Sequence, residues 1–214
     1  MKRKKVLYTG LNPIHYRSEG EVTHIPLIHI VPNAFSRPDI ALSFKNFLNY
    51  THIIITSKSI IKILIEALYF FGYSIEDWKR KYVIVVGSTT AYYLREVGIH
   101  SLIIAKEETA EGIIKELNQF ELRHYSFFWP HSAQARSVIS DFFHEKSIPL
   151  SHCSLYNTLF VELPSIPDLD QFDEIVFTSP STIHAFLQIF GTIPTGKILT
   201  CIGPITQQSL SNVL

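Results

Sequence analysis

The stretch that decides the fold is EIVFTSPSTIHAFLQIFG, residues 174–191. An apolar run breaks into Thr-Ser-Pro-Ser-Thr, and apolar residues then return at helical spacing. Nearly the same phrase, HIIITSKSIIKILIEALYFFG, stands at 52–72. Aligned on their Thr-Ser pairs, Thr56 matches Thr178, Ser57 matches Ser179, Ser59 matches Ser181 and Ile61 matches Ile183. Each copy reads as an apolar strand, a polar turn and a helix. Strands that are apolar throughout suit a sheet covered on both faces, which means parallel strands with helices outside.

A second pair of phrases follows the first. YVIVVGSTTAYYLREVG at 82–98 aligns with ILTCIGPITQQSLSNVL at 198–214, with Gly87 on Gly203, Thr90 on Thr206 and Leu94 on Leu210. The chain thus holds two related halves, each built as strand–TSxS–helix–strand–Gly-x-x-Thr–helix. Further α/β units surround them. VLYTG (6–10) and HSLIIA (100–105) read as strands, and TAEGIIKEL reads as a helix capped by Thr109. HYSFFWP (124–130) reads as a strand ending at Pro130, followed by a helix in SAQARSVISDFFHEKSI capped by Ser132 or His131. Only about a dozen residues separate VLYTG from GEVTHIP, too few for a full helix and its turns. The alternation predicts an α/β fold with two doubly wound, parallel-sheet domains of Rossmann or flavodoxin type.

Two stretches break the rhythm: THIPLIHIVPNAFSRPD (23–39) and LSHCSLYNTLFVELPSIPDLD (150–170). Both hold extended apolar pieces bounded by prolines, with no helix attached. Read as crossings between lobes, they form a two-stranded β connector at about 24–35 and 152–163. Residues 1–29 and 160–214 then make one discontinuous domain, and 33–157 an inserted one.

Composition narrows the function. Lys plus Arg equals Asp plus Glu, 19 each, so the basic excess of a nucleic-acid protein is missing. No apolar stretch approaches the length of a membrane span. The opening MKRKK leads straight into a strand-like run rather than a signal sequence. The two cysteines, Cys153 and Cys201, are read as reduced thiols of a cytoplasmic protein. His24 and His29 lie five apart on a presumed strand, and no Cys-x-x-Cys or i, i+4 His pair occurs, so no metal site is expected. GTIPTGKI at 191–198 nearly spells a phosphate-binding loop, but it ends in Ile198 and joins helix to strand rather than strand to helix.

In an open parallel sheet, ligands bind beyond the carboxyl ends of the strands. The four repeated turns lie there, each leading into a helix whose first N–H groups and dipole favour anions. Ser57, Lys58, Ser59 and Gly87, Thr90 of one half, with Ser179, Ser181 and Gly203, Thr206 of the other, are therefore candidate seats for carboxylate or phosphate. Any one of these turns alone reads first as an ordinary helix cap. Their repetition in both halves argues chiefly for the fold. Arg136 and Lys58, near helix starts, add candidate cations. Tyr156 lies on the proposed crossover strand, where it reads either as an aromatic at the lobe junction or as a neutral proton donor to a leaving hydroxyl.

Taken in order, PLIHIVP, ITSKSII, VGSTTAYYL, TAEGIIKEL, SAQARSVI, SLYNTL, FTSPSTI and IGPITQQSL resemble the motif series of the uroporphyrinogen-III synthase family over nearly the whole chain. The resemblance implies a cofactor-free, cyclising hydro-lyase of heme and tetrapyrrole synthesis. Its substrate would be hydroxymethylbilane, a linear tetrapyrrole bearing eight carboxylates. It would close with inversion of ring D through a spirocyclic intermediate. By motif position Tyr156 matches the tyrosine that assists hydroxyl loss. Thr90, Ser179, Ser181 and Thr206 match hydroxyls around the substrate, and amides at Ser57, Gly87 and Gly203 would take carboxylates. The expected partner is this small molecule alone, with no nucleic acid or membrane, and the protein is expected to be a monomer. Where the family often has Thr-Arg-Pro after the first strand, this chain has Thr9-Gly10-Leu11, so that Arg contact is missing. The same seats would also serve a non-catalytic, two-lobed module that binds anions or tetrapyrroles.

Overall fold

The computed structural model describes residues 3–214. From the N-terminus the elements run β1 (Lys5–Tyr8), β2 (Glu21–His24), β3 (Ile28–Pro32), α1 (Pro38–Lys45) and β4 (His52–Ile55). Next come α2 (Ile60–Phe70), α3 (Ile75–Lys79), β5 (Tyr82–Val85), α4 (Ser88–Glu96), β6 (Ser101–Ile104) and α5 (Ala110–Leu117). The remainder is β7 (Phe127–Ser132), α6 (Val138–Glu145), β8 (Leu150–Phe160), β9 (Glu174–Phe177), α7 (Pro180–Phe190), β10 (Ile198–Cys201) and α8 (Pro204–Ser211). The chain divides into two compact units. Unit 1 comprises the residues up to His29 with Thr158–Leu214, and unit 2 is Ile30–Asn157. Among the described residues, no helix is long and apolar enough to cross a membrane.

A six-stranded sheet has the order β3-β8-β7-β4-β5-β6, and from β8 to β6 every neighbouring pair is parallel. The period of two along a strand sorts its apolar residues between two layers. Ile53, Ile55, Val83, Val85 and Phe128 face α1–α4, burying Ile40, Phe44, Leu64, Leu68, Trp78 and Leu94. Their neighbours Ile54, Ile84, Phe127 and Trp129 face α5 and α6, burying Ile113, Leu117, Ile139 and Phe143. That is why β4 and β5 are apolar at successive positions. Each fully buried Ile, Leu or Phe contributes about 1.5–3 kcal/mol, so two such layers hold unit 2 without a disulfide. Phe44 stacks on Phe71 at 4.7 Å and meets Phe128 edge-on at 5.4 Å.

The sheet of unit 1 has the order β10-β9-β1-β2, parallel throughout. Leu7, Ile175 and Phe177 point to one face, against Ile183 and Phe186 of α7 and Leu210 of α8. The other face gathers Val6, Tyr8 and Val176, with Tyr16 from the β1–β2 loop packed on them. That loop carries no helix. On the same face Glu174 is buried (5% exposed) at the head of β9. It is bound by Lys4 Nζ at 2.6 Å and the Thr200 hydroxyl at 2.5 Å. Burial alone would raise its carboxyl; the Lys4, Thr200 and Tyr16 contacts outweigh that and hold it below the usual range.

Several elements differ from the sequence reading. The 23–39 stretch does not stay extended, because Pro38 opens α1, with Pro in the first turn where its missing N–H costs nothing. α3 is a further helix, set by a capping box in which Ser74 and Asp77 bond reciprocally. β7 runs past Pro130 to Ser132, and Ala133 N–H still bonds Tyr156 O at 2.8 Å. Neither Ser132 nor His131 therefore caps a helix. Ser132 Oγ instead accepts from Gln134 N at 3.1 Å, turning the chain, and α6 starts only at Val138. His24 and His29 lie on different strands, β2 and β3.

Candidate functional site

In unit 2 the turn after β4 is Thr56-Ser57-Lys58-Ser59. Ser57 Oγ accepts from Ser59 N at 3.2 Å, and its carbonyl accepts from Ile60 N. Ser59 precedes α2 in helical conformation and makes no side-chain cap bond. Lys58 Nζ lies 5.1 Å from the centre of the Tyr93 ring, and desolvation lowers its pKa. Tyr156, on β8, closes this corner from within the core. Its side chain is only 4% exposed, and it packs in the layer of Ile53, Ile55 and Phe128. Burial raises its pKa, and hydrogen bonding toward the Ser57 and Ser132 hydroxyls pulls it part of the way back. Tyr156 is thus a neutral O–H at pH 7, beside two hydroxyls that can accept or relay its proton. The sequence marks Ser132 only as a candidate helix cap and not as a site residue; its place at the end of β7, in register with Tyr156, is the signal for the second role.

The second turn of unit 2 already holds an anion. Ser88 N and Ser88 Oγ both donate to Glu108 Oε1, each at 2.8 Å. Gly87 permits this approach, since a Cβ there would stand 2.4 Å from the Glu108 carboxyl carbon. Thr90, one turn into α4, is buried at 4% exposure. Arg136 grips Glu111 through both terminal nitrogens, at 2.6 and 2.9 Å. This fork raises the Arg136 pKa and lowers that of Glu111. Trp129, His131 and His152 form a ring cluster with centroids 4.3–6.0 Å apart, and His131 Nε2 lies 3.2 Å from His152 Nδ1. His131 Nδ1 lies 2.8 Å from Ser132 O. A carbonyl only accepts, so Nδ1 carries the proton and Nε2 accepts from His152. Burial lowers the His131 pKa, which favours this neutral form.

In unit 1 the corresponding turns are built differently. Ser179 is the N-cap of α7, its Oγ accepting from Thr182 N at 3.4 Å. Thr182 Oγ1 accepts from Thr178 N at 3.1 Å and Ser179 N at 3.3 Å, and donates to Ser179 O. These two amides of the turn are thus engaged by the chain itself. In unit 2 the residue matching Thr182 is Ile60, which has no hydroxyl. Lys58 likewise stands where α7 has Pro180 at its first position, and without either signal α2 begins two residues later than α7 in the aligned phrase. Ser181 lies inside the first turn of α7, half-buried. Gly203 precedes α8 with open space where a side chain would stand, and Thr206 is buried at 4% exposure. The next residue, Pro204, has no N–H, so this turn lacks the donor that Ser88 provides in unit 2. Gly10 lies where a Cβ would be 2.4 Å from Thr178 Cγ2, so no larger residue fits there without movement.

Two units of parallel sheet with helices after their strands, one of whose turns holds a carboxylate of the chain itself, define a two-unit α/β protein. The family model described as uroporphyrinogen-III synthase HemD matches residues 14–213. The chain belongs to the uroporphyrinogen-III synthase family, whose work is porphyrin and heme synthesis. No curated protein sequence matches it significantly. Among solved structures, a mutant uroporphyrinogen III synthase from Thermus thermophilus is similar with TM-score 0.66 and 12% identity, covering 98% of this chain and 88% of that one. The wild-type protein from the same organism, in another crystal form, gives TM-score 0.57 and 14% identity at the same coverage. The uroporphyrinogen-III synthetase of Helicobacter pylori gives TM-score 0.63 and 14% identity, again covering 98% and 88%. At such identities the likeness is one of fold.

Proposed function

We propose that the protein converts hydroxymethylbilane to uroporphyrinogen III. The overall change is loss of one water and closure of one carbon–carbon bond. It balances without an oxidant or reductant, so no redox cofactor is called for. The Tyr156 O–H gives its proton to the departing hydroxyl, which leaves as water. The pyrrole-stabilised cation that remains is attacked by the substituted carbon of ring D, giving a spirocycle. Cleavage and reclosure of that spirocycle invert the ring. Ser57 and Ser132 hold the Tyr156 hydroxyl and relay back to it the proton that the closing pyrrole carbon releases as its ring regains aromaticity. The turns of each unit, at Ser57, Lys58, Ser59, Gly87, Ser179, Ser181 and Gly203, take the carboxylates. Holding the chain in one conformation is the main catalytic contribution, because free hydroxymethylbilane closes without inversion.

The observation that carries this reading is the Ser88 turn, which binds a carboxylate through a main-chain N–H and a hydroxyl, both at 2.8 Å. The test is the isomer formed from fresh hydroxymethylbilane. Type III product is expected, and type I alone would end the assignment. Tyr156→Phe should lower kcat by about a hundredfold or more, the usual worth of a general acid, with an unchanged fold. A second reading, a module that binds tetrapyrroles without turnover, draws support from the burial of Tyr156. Tight binding with no product would favour it.

A further inference from the structure

In unit 2, two of the positions expected to bind substrate anions are engaged by carboxylates of one short segment, Lys106–Gly112. Glu108 occupies the Ser88 N–H and hydroxyl, and Glu111 occupies the Arg136 guanidinium in a two-pronged pair. These contacts involve different donors on different elements, α4 and the turn before α6. The remaining acid, Glu107, faces elsewhere and pairs with Lys115 at 2.6 Å. The Glu108 contact depends on Gly87, whose missing side chain leaves the space that the carboxylate fills. In unit 1 the matching turn at Gly203 has Pro204 in place of Ser88, and no described residue stands where the Glu108 carboxylate would be.

We propose that the Lys106–Gly112 segment is an internal substrate mimic: Glu108 and Glu111 hold the carboxylate seats of unit 2, and incoming carboxylates must displace them. The substrate's identity rests on the synthase reading, but the seat itself does not. Release needs little more than side-chain rotation. The backbone on either side is fixed by β6 and by the Thr109 cap of α5, whose Oγ1 accepts from Gly112 N at 2.9 Å. The arrangement keeps the main-chain donors organised while the site is empty. Its cost is weaker apparent binding, since the ligand meets a competent seat only in the fraction of molecules where Glu108 is away. For an exposed charge-assisted contact that fraction is roughly a tenth to a third.

The test compares Glu108→Ala with Glu107→Ala, which removes the same charge from the same segment but vacates neither seat. Glu108→Ala is expected to lower KM for hydroxymethylbilane by about threefold to tenfold, with kcat unchanged within twofold, while Glu107→Ala leaves KM as it was. Glu111→Ala should shift KM in the same direction as Glu108→Ala. Equal shifts in the Glu108 and Glu107 variants would show a mere charge effect and overturn the proposal. So would an unchanged or raised KM in Glu108→Ala. A second readout works without turnover: citrate titrated into labelled protein and followed at the Ser88 amide by NMR. Citrate should bind several-fold tighter in Glu108→Ala than in the parent, and equal binding overturns the inference. If citrate behaves as expected but no form of the protein makes uroporphyrinogen, the synthase reading fails and the displaced-carboxylate inference stands.

Discussion

Replacing Thr182 with Val should destabilise unit 1 and leave unit 2 untouched. The change keeps side-chain volume and removes one hydroxyl from a residue with no solvent exposure. That hydroxyl receives Thr178 N and Ser179 N and donates to Ser179 O. Valine leaves two partly buried N–H groups short of a partner and breaks the capping box of α7, while Ser179 O keeps its bond from the backbone N–H of residue 182 at 3.0 Å. An orphaned buried donor costs about 1–3 kcal/mol and a lost cap typically ~1 kcal/mol. The backbone can relax toward water here, so a total of about 2 kcal/mol is expected. With a urea slope of about 1 kcal/mol/M for a unit of this size, the unit 1 midpoint should fall by about 2 M. Both tryptophans of the chain, Trp78 and Trp129, belong to unit 2. Tryptophan fluorescence therefore follows unit 2 alone, while far-UV circular dichroism follows both. The expected result is an earlier phase in circular dichroism with an unmoved fluorescence midpoint. A shift below about 0.3 M in circular dichroism would refute the reasoning that Thr182 builds this turn.

His52 is buried among Tyr82, Tyr125 and Phe127, and burial lowers its pKa. Its neutral form is favoured in the fold, so its contribution is fully present above the unfolded value near ~6.5 and is lost as pH falls through the folded one. His52→Phe should flatten the stability–pH curve of unit 2 below about pH 6.5; an unaltered slope by urea titration would remove His52 as its source. Lys4→Met leaves the Glu174 carboxylate without its cation and should cost unit 1 about 1–3 kcal/mol at pH 7, with the loss shrinking in acid as Glu174 protonates. Phe44→Ala opens a hole between Phe71 and Phe128 and should cost unit 2 about 3–5 kcal/mol, read by fluorescence in urea.

The repeated phrases make the strand–turn–helix units legible because they are runs of apolar residues with a fixed period. The helices that escape such a reading are α1 and α3. Neither belongs to the repeat, and their signals, Pro38 in a first turn and the Ser74–Asp77 box, are local capping patterns inside polar stretches. The start of α6 is misplaced by sequence because Ser132 is a chemically suitable cap that tertiary pairing keeps in β7. The candidate seats can be named from the sequence, but what occupies them cannot. The sequence marks Ser57, Gly87 and Arg136 as anion seats, but no spacing rule shows that Glu108 and Glu111 fold back onto two of the places expected. Nor does the position of Tyr156 in a strand reveal that its side chain points into the core, where its hydroxyl meets Ser57 and Ser132. Those relations are set by pairing between residues far apart in the chain.

The order of strands in unit 1, with β1 hydrogen-bonded between β2 and β9, has a consequence for biosynthesis. About 150 residues separate β2 from β9, so at ribosomal speeds the first two strands wait roughly 10–30 s for their partner. Unit 2 is contiguous and emerges whole during that interval. The newborn chain therefore carries a finished middle and an unpaired leading ribbon. That ribbon is where a nascent-chain chaperone, or a neighbouring polypeptide on the same messenger, would first find an edge to grasp.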